Sequence, residues 1–217
     1  MKNQSKKMLC AGILLLAAFI AWTLLISFID VKAIGPNNSK VGFASLNEIL
    51  HNFTGVNLSL YILTDWLGLV PIAVALGFAI LGLAQLIKRK SLLAVDYDIL
   101  LLGGFYIIVI AVYVFFEIVT INYRPTLING FLEASYPSST TMLVMCVMPT
   151  AAIQMRKRIK NKCLMRIVVA AIIAFIAFMV LGRAISGVHW ITDIIGGAIF
   201  SAGIVLIYNS LYIIKSK

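Results

Sequence analysis

Six apolar stretches, each near the length needed to cross a bilayer, make up most of this chain and leave few folds open to it. A helix crosses a bilayer with about 20 predominantly apolar residues. Runs at roughly 8–29, 66–87, 97–119, 138–155, 164–182 and 190–213 fit that need, the fourth being the shortest. Hydrocarbon leaves no backbone polar group a water partner, so such runs fold as helices. The expectation is an all-α polytopic membrane protein, six transmembrane helices in one bundle, with residues 1–217 as a single domain. A composition 62% hydrophobic and 12% charged, with mean hydropathy +1.03, lies outside the soluble globular range. The first run follows Lys2, Lys6 and Lys7 but is too long for a signal-peptide core, and no A-x-A cleavage site follows it. We read it as an uncleaved first span.

The net charge of +10 would suit a nucleic-acid binder, yet the basic residues cluster beside the apolar runs. Nucleic acid is therefore not an expected partner; membrane lipids are. With the N-terminus inside and six alternating spans, all 18 Lys and Arg except Lys32, Lys40, Arg124 and Arg183 fall on the inner side, terminal Lys2, Lys215 and Lys217 included. That is the bias the positive-inside rule describes. The expected setting is a plasma membrane, taken as bacterial, with both termini cytoplasmic. Cys10 and Cys146 lie in apolar runs and Cys163 in an inner loop, so no disulfide is expected and all three are read as packing residues. Residues 30–65 form the first outer segment. Within it, Ser45 and Glu48 have capping-box spacing and predict a short interfacial helix, with His51 as an interfacial histidine. Asn37, Asn52 and Asn57 open N-x-[ST] triplets, which matter only in a glycosylating compartment.

Three short stretches concentrate ionisable and hydroxyl residues, and the topology sends all three to the outer face: "EIVTINYRPTL" at 117–127, "YPSSTT" at 136–141 and "GRAISGVHWITD" at 182–193. A charge at the bilayer centre costs about 2.5 to 3.5 kcal/mol on insertion scales, so three coincident polar stretches call for a shared purpose. Pro137 followed by Ser138, Ser139, Thr140 and Thr141 is the start of a helix whose free N–H groups and dipole favour an anion. Arg124 and Arg183 arrive at the same level, and guanidinium groups bind phosphate in bidentate fashion. His189 and Asp193 are four residues apart and would share one helix face, where the carboxylate can hold one imidazole nitrogen and leave the other free to attack or move a proton.

Arg124-Pro125, Pro137-Ser138 and the spacing of Arg183, His189 and Asp193 resemble the three signature motifs of the type-2 phosphatidic-acid phosphatase superfamily of integral-membrane lipid phosphate phosphatases. The resemblance implies that His189 is the nucleophile and forms a phosphohistidine, that Asp193 orients it, and that Arg124 and Arg183 bind phosphate oxygens together with the start of the fourth span at Ser138, Ser139 and Thr140. It implies no cofactor and no metal. Three positions depart from the pattern: Glu117 stands where the first motif has lysine, Thr140 where the second has histidine, and Gly182 where the third has serine. That second histidine is the family's acid for the leaving group. An alkoxide leaving group is about as basic as hydroxide, whose parent acid has a pKa of about 15.7. A phosphate leaving group has a second pKa of about 6 and departs without help. The expected activity is thus hydrolysis of a lipid phosphate or diphosphate, polyprenyl diphosphate favoured, at the outer leaflet. The alternative is a catalytically impaired pseudo-enzyme that binds or moves lipid phosphates. Glu117 is open to four roles: pairing with an arginine, contacting a cationic headgroup, binding a metal with the substrate, or donating a proton.

Overall fold

The computed structural model describes residues 2–215; Lys217, counted above at the inner end, lies outside them. Among these residues eight α-helices follow one another: α1 (Lys2–Phe28), α2 (Ala44–Thr54), α3 (Leu58–Leu67), α4 (Leu69–Arg89), α5 (Tyr97–Ile118), α6 (Ser139–Arg158), α7 (Lys162–Ser186) and α8 (Ile191–Lys215). Five runs are long and apolar enough to cross a membrane, with α3 and α4 counting together as Leu58–Arg89. The sixth helix of the bundle is α6, which is less apolar because protein surrounds it. It packs against α4, α5, α7 and α8 and buries Thr141, Cys146, Thr150 and Gln154. Each polar group there has a partner, as a low-dielectric interior demands. The Gln154 amide donates to the Tyr208 hydroxyl at 2.7 Å and the Asp98 carbonyl at 3.0 Å, and the Thr150 hydroxyl donates to the Cys146 carbonyl at 2.8 Å.

The longest interface joins α1 to α8. It is close because Gly12 and Gly203 face each other: a Cβ on Gly12 would stand 2.8 Å from the Gly203 carbonyl oxygen. Small residues serve helix association in lipid in this way, where apolar burial supplies little drive. The Ser5 and Ser210 hydroxyls, 3.0 Å apart, fix the two termini at one end of the bundle. Asp98, with Lys157 at 3.3 Å and Arg158 at 3.6 Å, lies at that end too. At the opposite end Trp22 Nε1 donates to the Thr192 carbonyl, and all three motif stretches gather there.

Three expectations need correcting. The outer segment does not run to residue 65: Asn57 caps α3, its carboxamide accepting from Leu60 N–H at 2.9 Å, so helix begins at Leu58 and is interrupted at Gly68. Periodicity cannot mark that start, because 58–87 is apolar almost throughout. The interfacial helix exists as α2, but Ser45 does not cap it. The Asp30 carboxylate accepts from Ser45 N–H at 2.7 Å, while the Ser45 hydroxyl accepts from Lys32. Of the free cysteines only Cys146 is packed; Cys10 and Cys163 are exposed.

Candidate functional site

The loop between α5 and α6 is a hairpin that delivers two of the site's side chains. Asn129 and Gly130 both take positive φ, 50° and 83°, the conformation that a two-residue turn between twisted strands prefers. The turn pairs Arg124 N–H with the Glu133 carbonyl at 3.0 Å and Ser135 N–H with the Asn122 carbonyl at 2.9 Å. Gly187 ends α7 with φ 65°, and a Cβ there would lie 1.8 Å from the Gly55 carbonyl oxygen. The chain thus turns sharply between Arg183, in the last turn of α7, and His189, just ahead of α8.

Both arginines gather over one ring: the guanidinium carbons of Arg124 and Arg183 lie 5.7 and 4.7 Å from the centroid of Tyr61 on α3. Arg183 is 1% exposed. Its Nη2 donates to the Asp65 carboxylate at 2.8 Å and to the Thr140 hydroxyl at 2.6 Å. Gly182 makes this possible, since a Cβ at that position would sit 2.8 Å from Thr64 Cγ2 and hold α3 away from α7. Arg124 Nε stands 3.1 Å from Glu133 Oε2 as an ion pair, though out of hydrogen-bonding alignment. Nε and Nη1 of both arginines are buried without a hydrogen-bond acceptor among the described residues, and so is His189 Nε2. Buried polar atoms in a folded protein are nearly always partnered, so five together need an explanation.

His189 is 4% exposed and does not touch the Asp193 carboxylate directly. The expected shared helix face fails because α8 starts at Ile191, leaving His189 in the turn before it. The Asp193 carboxylate instead accepts from Trp190 N–H at 3.2 Å, as an acid in the first turn of a helix does. It also accepts from Asn122 Nδ2 at 2.9 Å and from the Ser135 hydroxyl at 2.5 Å. The same hydroxyl lies 3.0 Å from His189 Nδ1. Burial, followed by the Arg124 and Arg183 charges, holds the His189 imidazole well below its ordinary pKa, against a smaller opposing effect of Ser135. The ring is therefore neutral near pH 7.

The remaining motif residues separate by position. Ser138 is buried, and its N–H donates to the Asp193 carbonyl at 3.1 Å, so that N–H ties α6 to α8 and is not free for an anion. Ser139 and Thr140, in the first turn of α6, have no carbonyl within the helix to meet. Glu117 is exposed and borders both a small pocket beside His189 and a polar cleft of 590 Å³ lined by Tyr123, Arg124, Glu133 and Ser139. The carboxylate paired with Arg124 is Glu133. From Asp65, Ser139 and Thr140 an apolar groove of 410 Å³ descends past Leu69, Ile72 and Ile110. His51 packs its ring on Trp190 with centroids 5.3 Å apart and borders neither cavity. Tyr61, Asp65, Asn122, Glu133 and Ser135 were not among the expected site residues. For Asn122, Glu133 and Ser135 the Asn129-Gly130 turn was a usable sign, since it predicts that residues on either side face each other.

A polytopic helical bundle that gathers two arginines, a neutral histidine and a helix N-terminus at one end, with Arg124 and Ser139 on a polar cleft and His189 on a small pocket beside it, defines a class: membrane proteins with a buried cationic site at one end of the bundle. The sequence profile of the PAP2 superfamily matches residues 113–215, just under half of the chain and the part that carries all three motifs, and so supports the family that those motifs resemble. Over 94% of its length it resembles the crystal structure of a transmembrane PAP2-type phosphatidylglycerolphosphate phosphatase from Bacillus subtilis, with 96% of that chain covered, a TM-score of 0.53 and 21% identity. At that identity the likeness is one of fold. No curated protein matches the chain.

Proposed function

We propose that the protein is a membrane phosphatase for lipid phosphates, with its cleft at the outer leaflet of a plasma membrane. The observation that carries the proposal is the set of five buried nitrogens without acceptors, on Arg124, Arg183 and His189, beside the first turn of α6. A phosphoryl group supplies several acceptor oxygens and an electrophilic phosphorus in one body. The apolar groove opening at Ser139 and Thr140 suits the hydrocarbon chain of such a substrate. The outward orientation rests on the positive-inside rule, because the basic clusters occupy the end that carries the termini.

In this reading Arg124 and Arg183 hold the phosphoryl oxygens and neutralise charge that grows in the transition state. His189 Nε2 attacks phosphorus: the N–P bond forms, the bond to the leaving oxygen breaks, and that oxygen keeps the electron pair. Water then attacks the phosphohistidine, the N–P electron pair returns to Nε2, and the water proton passes to solvent through the cleft. No histidine stands at position 140, and the Thr140 hydroxyl already accepts from Arg183. A diphosphate, whose leaving group needs no proton, is therefore the favoured substrate, a polyprenyl diphosphate among them.

Phosphate release by purified protein from matched lipid mono- and diphosphates, with His189→Ala as the blank, tests the proposal. Equal release by the two proteins defeats it. The second reading, a binder without turnover, draws on Glu117 and Thr140. It predicts that lipid diphosphate binds the wild type, weakens on Arg183→Ala, and is never hydrolysed.

A further inference from the structure

We infer that Ser135 is a positioning residue: its hydroxyl bridges Asp193 and His189 Nδ1 and locks the histidine in the Nδ1–H tautomer, so that Nε2 presents its lone pair to the phosphoryl group. The role given to Nε2 rests on the proposed function; the tautomer does not.

The argument is a count of protons. A serine hydroxyl has one proton to donate and lone pairs to accept with. Asp193 Oδ2, at 2.5 Å, is the shorter of its two contacts and belongs to a carboxylate that also accepts from Asn122 Nδ2 and Trp190 N–H. Three donors converging on Asp193 mark it as the acceptor, so the Ser135 proton points there. Facing His189 Nδ1 at 3.0 Å, the hydroxyl then has only a lone pair to offer, and Nδ1 must carry the proton. A neutral imidazole with a proton on Nδ1 has none on Nε2. Nε2 is also the ring atom left buried without a partner, in the pocket that Glu117 and Ser139 share.

All three residues are held in place: Ser135 is 2% exposed, His189 4% and Asp193 0%. The hairpin fixes Ser135 through its N–H to the Asn122 carbonyl, and the Asn122 side chain returns to Asp193 Oδ1. The carboxylate thus acts on the ring through a hydroxyl.

The chain has two histidines, so His51→Gln leaves His189 alone in a ¹⁵N-histidine spectrum. In that protein, at a pH where the ring is neutral, the two ring nitrogens should report a single Nδ1–H form. Ser135→Ala should bring in the Nε2–H form and lower kcat by about 10²-fold or more with KM within about threefold, since a wrong tautomer in a catalytic histidine costs up to about 10⁴-fold. Ser135→Thr keeps the hydroxyl and should restore both the spectrum and kcat to within about tenfold. An Nε2–H form with Ser135 intact overturns the inference. So does a pure Nδ1–H form in Ser135→Ala, which would assign the lock to the neighbouring main chain of Ser135. If the spectra behave as stated but no substrate is hydrolysed, the inference about Ser135 stands and the phosphatase reading falls.

Discussion

Replacing Thr140 by histidine should change which substrates are hydrolysed, and the structure sets the size of the change. The Thr140 hydroxyl sits 2.6 Å from Arg183 Nη2 as an acceptor, and a hydroxyl is far too weak an acid to protonate a departing alkoxide. Thr140 also borders the apolar groove, which has room for a larger ring. General acid catalysis contributes about 10²- to 10⁴-fold, or roughly 2.7 to 5.4 kcal/mol. The substitution also removes a hydrogen bond to a charged group, at a cost of about 1.5 to 3 kcal/mol. In the proposed reaction that loss falls on both substrates, because Arg183 would hold the attacked phosphoryl group in either case. The gain falls on the monophosphate alone, whose leaving group needs the proton. The ratio of monophosphate to diphosphate turnover is thus the clean quantity, and it should rise by about 10²- to 10⁴-fold in Thr140→His. Phosphate release from a lipid pair differing only in the second phosphate measures it. An unchanged ratio, or a wild type that already prefers the monophosphate, would show that the proton comes from another group and that the leaving-group argument is wrong.

Arg183→Lys keeps the charge but cannot direct two N–H groups at a phosphate while holding Asp65 and Thr140; with each lost charge-assisted bond worth about 1.5 to 3 kcal/mol, kcat/KM should fall by about 10²- to 10⁴-fold, and a fall under tenfold would refute bidentate binding. Because burial and the arginines lower the His189 pKa, the acid limb of kcat/KM should lie below the ordinary imidazole value of 6.5. The same depression favours the native state fully above pH 6.5 and progressively less as pH falls towards the folded value, since the unfolded chain then takes up a proton that the native site refuses; a melting temperature at its highest at pH 5 and decreasing towards pH 7 would contradict this, provided the His189→Gln protein lacks that trend. With the native cysteines replaced, an impermeant thiol reagent applied outside intact cells should label Asn129→Cys and not Lys160→Cys; the reverse pattern would put the cleft on the inner side.

Much of the bundle was legible because lipid imposes a simple rule: a span must be apolar along its length unless protein covers it. Five spans obey the rule, and α6, the shortest apolar run, departs from it because Thr150 and Gln154 meet partners inside the bundle. The start at Leu58 was hidden, since a capping asparagine inside an apolar stretch leaves no break in pattern. At the site, the motif spacings brought Arg124, Arg183, His189 and the start of α6 to one end. The relation of His189 to Asp193 was misread, because a four-residue spacing implies a shared face only if both residues are helical. Ser138 was misread for a related reason: sequence shows which N–H groups lack a helical partner, but not which of them a neighbouring helix end will satisfy. Glu133 and Ser135 were within reach of sequence reasoning through the Asn129-Gly130 turn. Tyr61 and Asp65 were not, since their place depends on how closely α3 approaches α7.

That approach connects the chain's departures from the family pattern. Gly182 lacks the side chain that would stand against Thr64, so α3 comes close enough for Asp65 to reach Arg183. Arg183 then spends Nη2 on Asp65 and Thr140 together, and Thr140 is the position where the family places its acid. Meanwhile Arg124 faces Glu133, and Glu117 adds an exposed carboxylate where the family has a lysine. Two guanidinium groups therefore answer to three carboxylates, and the cleft carries less positive charge than a site built from the same arginines with a lysine. Unlike charges attract more weakly as the site approaches neutrality, so a monophosphate gains less from this cleft than from such a site. A diphosphate loses attraction in the same way and keeps only the advantage of more acceptor oxygens for the same unpaired N–H groups. In the proposed reaction the exchange of histidine for Thr140 therefore favours a diphosphate on the ground of departure, while the exchange of lysine for Glu117 weakens the hold on any phosphate. A binder that had merely lost turnover would need neither His189 Nε2 free nor Asp193 enclosed by three donors, and both features are intact.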